Sequence, residues 1–187
     1  MMVSKKELTH QRILASIHKT FRQHGYDGAG VNGLANEAGV TSGAFYAHFG
    51  SKSGAFRETV TEGVRQFSAA ISHFQSIHGD KWLEQFTQFY LGEKRRSELS
   101  ESCALQSLTP EVIRSDDETR TVFQRELLKA AEIFSNGNES IEGNVDPNTW
   151  ATLSMIIGGV TLARAVKDPA LADEITNAVQ QSVKSKS

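Results

Sequence analysis

Apolar residues recur along this chain at spacings of three and four, and no stretch keeps the strict alternation of a half-buried strand. The repeat predicts helices. Ile13, Leu14, Ile17 and Phe21 share one face of a first helix over 9–24, which Gly25 ends. A Gly-rich connector over 26–30 leads to two short helices, 31–38 and 42–49, closed by Gly39 and Gly50. A long helix follows over 51–77, with Val60, Val64, Phe67, Ile71 and Phe74 in phase. Further helices are expected over 81–90, over 103–113 with a break at Pro110, and over 116–134. The last has acids in its first turn and Val122, Phe123, Leu127, Leu128 and Ala131 turned inward. The charged stretch 93–102 and the polar stretch 135–145 read as loops. Asp146-Pro147 and Asp168-Pro169 each pair a capping aspartate with a proline at the first helical position, and open the last two helices. The expected fold is all-α, with about nine helices. A three-helix domain over 1–56 joins a larger helical domain over 57–187.

The two short helices meet at Ala38-Gly39-Val40-Thr41. The glycine permits the left-handed corner of a helix-turn-helix, and Val40 fills the angle between the helices. Leu34, Ala35, Ala38, Phe45 and Phe49 form a small core against the first helix. The second short helix presents Thr41, Ser42, Gly43, Ala44, Tyr46, Ala47 and His48. Most of these are small, which suits a helix pressed into a major groove. Tyr46, His48 and Lys52 carry donors for phosphate oxygens, and Lys52 lies in the first turn of the next helix, whose amides also favour phosphate.

The formal net charge of -2 argues against a nucleic-acid binder until its distribution is read. Residues 1–56 hold six Lys/Arg against three acids, so the acidic excess lies wholly in the remainder. A basic head on an acidic body is what phosphate binding by the head requires. The chain has one cysteine, Cys103, so no internal disulfide framework exists and a cytoplasmic setting is expected. No apolar run is long enough for a membrane helix.

From Arg12 to Phe56 the sequence resembles the tetracycline-repressor (TetR) family of bacterial regulators. The resemblance rests on Arg12-Ile13-Leu14, Phe21, Gly25-Tyr26, Val31, Leu34-Ala35, Ala38-Gly39-Val40, Gly43, Phe45-Tyr46, His48-Phe49, Ser51-Lys52 and Phe56. It implies a double-stranded DNA operator as partner, with Thr41, Ser42, Gly43, Ala44 and Ala47 facing base edges and Tyr46, His48 and Lys52 gripping the backbone. It implies a homodimer on a palindromic operator, and a small hydrophobic or aromatic effector that relieves repression. The sequence departs from the family in three ways. Gly30 stands where the family has a capping Ser or Thr, Gly33 lies inside the second helix, and the reading helix lacks Arg, Asn and Gln. Specificity then rests on thymine methyls, Tyr46, water and DNA shape.

For the effector pocket the candidates are Phe67, Phe86, Phe89, Tyr90, Cys103, Phe123 and Leu127, although apolar residues of this kind also fill cores. For the dimer surface they are Met155, Gly158, Gly159, Val160, Ala163, Ile175 and Val179 on the last two helices, which would pack as a four-helix bundle. No cofactor or metal is expected. Gly28-Ala29-Gly30-Val31-Asn32-Gly33 matches a dinucleotide fingerprint but follows a helix rather than a strand, and His73 and His78 do not share a helical face. Asn138-Glu139-Ser140 matches a glycosylation sequon that a cytoplasmic chain would not use. No nucleophile or acid–base constellation marks an enzyme. Two alternatives stay open: a regulator of the same fold that works without ligand or senses through the Cys103 thiol, and an all-helical enzyme.

Overall fold

A computed structural model describes residues 4–135 and 145–185. Asn138-Glu139-Ser140 and nearly all of the expected 135–145 loop lie outside the described residues. Among the described residues every regular element is helical. The first helix, α1 (Lys5–Gly28), begins earlier than its apolar stripe because Ser4 caps it, its hydroxyl accepting from the Glu7 amide at 3.1 Å. Gly25 breaks it with a φ of 71°, so the last turn is a separate corner. Then come α2 (Val31–Glu37), α3 (Ser42–Phe49) and the long α4 (Lys52–His78), which Ser51 caps through the Gly54 amide at 2.9 Å.

The body continues with α5 (Trp82–Phe89), α6 (Ala104–Ser107), α7 (Thr109–Ile113), α8 (Asp117–Phe134), α9 (Pro147–Ala165) and α10 (Pro169–Lys184). α6 and α7 are the two pieces of the helix expected over 103–113, parted at Leu108 just before Pro110. Counted as one broken helix they make nine among the described residues. Asp116, Asp146 and Asp168 each cap the helix they precede.

Two expectations are corrected. The stretch 93–102 is not wholly loop: Tyr90–Lys94 forms a π-helical turn and the chain stays helical through Arg96. Tyr90 and Leu91 are adjacent and both buried, and the wider π turn accommodates both in the core. On α8 the buried face is Thr119, Glu126, Ala130, Ala131 and Phe134, whereas Val122, Phe123, Leu127 and Leu128 are only half-buried. Glu126 tolerates burial because Arg65, Arg125 and Lys129 reach its carboxylate at 3.3, 3.0 and 3.1 Å. Burial alone pushes this carboxyl up, but the three cations together hold it below the usual glutamate range.

One apolar cluster joins α1, α2, α3 and the start of α4 through Ile13, Ile17, Phe21, Leu34, Phe45 and Phe56, and it also takes in Ala104, Leu108 and Val112 from α6 and α7. A second lies between α4, α5, α8, α9 and α10, around Phe67, Ile71, Phe86, Leu105, Ile156 and Val183. α4 is common to both and packs along α8. No helix among the described residues is long and apolar enough to cross a membrane.

Gly33 is exposed inside α2, and a Cβ built on it meets nothing within 4 Å. Gly33→Ala is therefore expected to raise unfolding free energy by about 0.5–1 kcal/mol, through helix propensity alone. Urea denaturation reads this directly, and a loss of stability would mean that α2 is not formed as described.

Candidate functional site

The corner between α2 and α3 is built by Gly39, at φ 64°, and by the Val40 amide bonded to the Ala35 carbonyl at 2.9 Å. Thr41 caps α3, its hydroxyl accepting from the Ala44 amide at 3.1 Å. The Ser42 hydroxyl donates to the Asn32 side chain of α2 at 2.8 Å, tying the two helices together. These two hydroxyls therefore set the pose of α3. Phe45 and Phe49 are buried below, while Thr41, Gly43, Tyr46 and Ala47 are exposed above. A Cβ on Gly43 would touch only the Thr41 hydroxyl, at 3.8 Å, so backbone approaches the outer surface there without obstruction. Tyr46 stands out from the face at 49% exposure.

The side chains proposed for phosphate lie at the ends of this face. His48 rests against the His10 ring, with centroids 5.4 Å apart, and His10 in turn meets the Glu58 carboxylate at 2.6 Å. The Lys52 ammonium lies 4.3 Å above the Tyr26 ring, a cation–π contact that holds a positive charge beside the start of α4. All eight sequence-derived residues are unburied, on α3, at its N-cap and at the first residue of α4. The role of Asn32 was missed; its only sequence signal was a polar residue near an uncapped helix start.

A cavity of about 180 Å³ lies between α1, α4, α5, the π turn and α6. Phe67, Phe86, Phe89, Tyr90 and Cys103 line it. Phe123 and Leu127 do not: they sit on α8 and pack half-buried against the apolar clusters. The Tyr90 hydroxyl is buried without a hydrogen-bond partner among the described residues, and burial pushes its pKa well above the ordinary range. Burial likewise pushes the Cys103 thiol up, so it is protonated at neutral pH.

The polar side of the cavity was not foreseen. Arg22, Gln66 and Lys94 line it. Arg22 is buried, donating to the Gln66 side chain at 3.0 Å and to His18 Nε2 at 3.2 Å. A guanidinium only donates, so His18 Nε2 is the acceptor and the ring is neutral. Burial first and the Arg22 charge second lower the His18 pKa from 6.5 to about 3. A larger hollow of about 440 Å³ lies between α5 and α10, bordered by the Lys184–Glu84 ion pair at 3.0 Å.

The apolar residues of α9 divide between two faces. Val160 and Ala163 are buried within the chain, and Gly159 is turned toward α10, where an added Cβ would come within 2.7 Å of Val179. These four therefore pack α9 on α10 of the same chain. Gly158 and Ile175 are half-buried, as is Met155, which packs partly against the second apolar cluster, while Leu162, Leu171 and Ala178 are exposed. A Cβ on Gly158 would meet nothing.

A family model for bacterial regulatory proteins of the tetR family matches residues 13–59. The chain is 33% identical over 64 residues to the HTH-type transcriptional repressor AcnR of Corynebacterium glutamicum, and equally to AcnR of Corynebacterium efficiens. Those matches cover 34% of this chain and 34% of each relative, so the chain spans about a third of the length of the curated relatives it matches. In fold, the chain is similar to a TetR-family transcriptional regulator from Cytophaga hutchinsonii, with a TM-score of 0.77 at 17% identity, covering 99% of this chain and 98% of that one. It is also similar to E. coli NemR in its reduced form, with a TM-score of 0.76 at 18% identity and 95% of each chain covered.

Proposed function

Since the chain belongs to the TetR family of bacterial regulatory proteins, we propose that it is a homodimeric transcriptional repressor, released from a palindromic operator by a small effector. The observation that carries this is the surface of α3: a short helix locked by its own hydroxyls, small and open along its outer side, with Tyr46, His48 and Lys52 at its margins. Such a helix fits a major groove, and the marginal donors suit phosphates. The regulatory character of the family disfavours an enzyme.

For the dimer, the outward stripe of α9 and α10 is the better surface than the one first read from the sequence. Met155, Gly158, Leu162, Leu171, Ile175 and Ala178 are unburied in the single chain and leave room for a second copy. The effector site is the cavity that includes Phe67, Phe86, Phe89, Tyr90 and Cys103. α1 and α4 border it and also carry the helix-turn-helix, so a ligand there biases the spacing of the two reading helices.

The test is binding of the purified chain to its own upstream DNA over a salt series, beside an unrelated fragment. Specific affinity is expected to fall steeply with salt. Tyr46→Ala combined with Lys52→Ala is expected to weaken binding about 10- to 100-fold while unfolding stability stays near that of the parent. Should a random-sequence DNA selection enrich no site, the repressor proposal fails.

A further inference from the structure

We infer that the effector cavity takes a small ligand with a carboxylate head on an apolar body, and that Arg22 of α1 receives the carboxylate. This rests on the proposal that the cavity is the effector site. It goes beyond it in fixing the ligand's charge and the residue that reads it.

The argument begins with an accounting of charge. Arg22 is 9% exposed, and a guanidinium stays charged in a protein. A buried cation ordinarily has a carboxylate beside it. Among the described residues Arg22 forms no ion pair. Its partners are neutral: Gln66, His18, and the Ser100 carbonyl at a long 3.5 Å. Its Nε has no hydrogen-bond partner among the described residues. Glu101 and Glu62 act on the guanidinium through space only: Glu101 pairs with Lys19 at 2.6 Å and Glu62 accepts from the Gln66 amide at 3.1 Å, and neither makes an ion pair with Arg22.

The cavity wall repeats this imbalance. Among the described residues it holds two cations, Arg22 and Lys94, and no Asp or Glu, in a chain whose acids outnumber its Lys and Arg. Lys94 donates to the Glu101 backbone carbonyl and makes no ion pair among the described residues, although the Glu101 carboxylate acts on it through space. The Tyr90 hydroxyl adds an unpaired donor in the same wall. The rest of the lining is aromatic, from Phe67, Phe86 and Phe89. A carboxylate at the polar end would satisfy Arg22 Nε and lie near Tyr90 and Lys94, while a ring or short chain would lie on the phenylalanines. At about 180 Å³ the cavity is smaller than usual drug-sized sites, so the body is no larger than one ring or a short branched chain.

The thiol of Cys103 lies in the same wall and could compete for the Arg22 charge if it ionised. Its burial favours the neutral form, which leaves the guanidinium open to an external anion.

The test is a thermal-shift and calorimetric comparison on the full chain with benzoate, phenylacetate and hexanoate, each beside its neutral amide, and with inorganic phosphate as a head-only control. At least one acid is expected to bind at least tenfold more tightly than its amide, and phosphate is expected to cause no comparable shift. Arg22→Gln is expected to abolish the preference for the acid, whereas Arg22→Lys, which keeps the charge, retains part of it and guards against a folding defect. Cys103→Ser is expected to keep the preference. Equal binding of acid and amide, no binding by any acid at millimolar concentration, an equal response to phosphate, or an acid preference that survives Arg22→Gln would each overturn the inference. So would its loss in Cys103→Ser. Operator binding measured without ligand stands apart from all of these, so the DNA-reading proposal can hold while this one fails.

Discussion

Gly63→Val is expected to destabilise the chain by about 3 kcal/mol. Gly63 lies mid-way along α4, where α6 crosses it. A Cβ at this position would stand 2.2 Å from the Ala104 Cβ and 3.2 Å from His18 Nε2. Ala104 is buried and its Cβ is fixed to backbone, so no flexible side-chain end can swing away. The valine either displaces α6 from α4 or bends α4, and both outcomes disturb the two apolar clusters at once. Urea denaturation measures the loss, with Gly33→Ala as a control of opposite sign. A Gly63→Val protein as stable as the parent would mean that α6 does not lie against α4.

The second large effect concerns acid. His18 is buried and neutral, with its pKa lowered from 6.5 to about 3 by burial and by Arg22. In the unfolded chain the same ring takes up a proton near its ordinary value. Between these two values the unfolded state binds the extra proton, so stability rises with pH and is lost as pH falls. The loss begins near pH 6.5 and reaches about 2 kcal/mol by pH 5. Asp116 has its carboxyl lowered to about 2, chiefly by hydrogen bonds from Ser53 and Thr119, so its contribution is lost only at more acid pH and does not overlap this window. His18→Gln offers Arg22 an acceptor without the titrating ring, and it should remove most of the loss between pH 7.5 and 5. A His18 ring that titrates near 6.5 in the folded protein, followed by NMR, would falsify the argument.

How legible each part was depends on how far apart its residues lie. The helix-turn-helix could be read because its signals are local. Gly39, Gly50, Thr41 and Ser51 act within three or four residues of their own helix ends, and capping geometry then follows. Asp116, Asp146 and Asp168 worked the same way. The polar side of the cavity could not be read. Arg22 and Gln66 lie 44 positions apart, and each looks like a surface residue on its own helix. Only the crossing of α1 on α4 brings them together and buries Arg22.

The α9 surface failed for a different reason. Its apolar residues occur on both sides, so periodicity marks a helix without saying which side meets its own chain. Phe123 and Leu127 are aromatic and aliphatic like the cavity residues, but α8, which packs along α4, contributes no residue to the cavity lining. The early end expected for the helix after Trp82 reflects the charge of 93–96, which masked a π turn driven by the paired burial of Tyr90 and Leu91.

The apolar cluster under the reading helix draws Ala104, Leu108 and Val112 from the middle of the chain. The DNA-reading end is consequently not a bead on a swivel. Its foundation is shared with the segment that begins at the cavity wall, and there is no slack between them in which a displacement could dissipate. A shift of a few tenths of an ångström at Ala104 has to be met by Phe21, Phe56 or Leu108, and so by the seat of α3 itself. Under the proposed function, stiffness of this kind would make sensing cheap in distance: the ligand end would not need to travel far for the groove-facing end to be re-aimed.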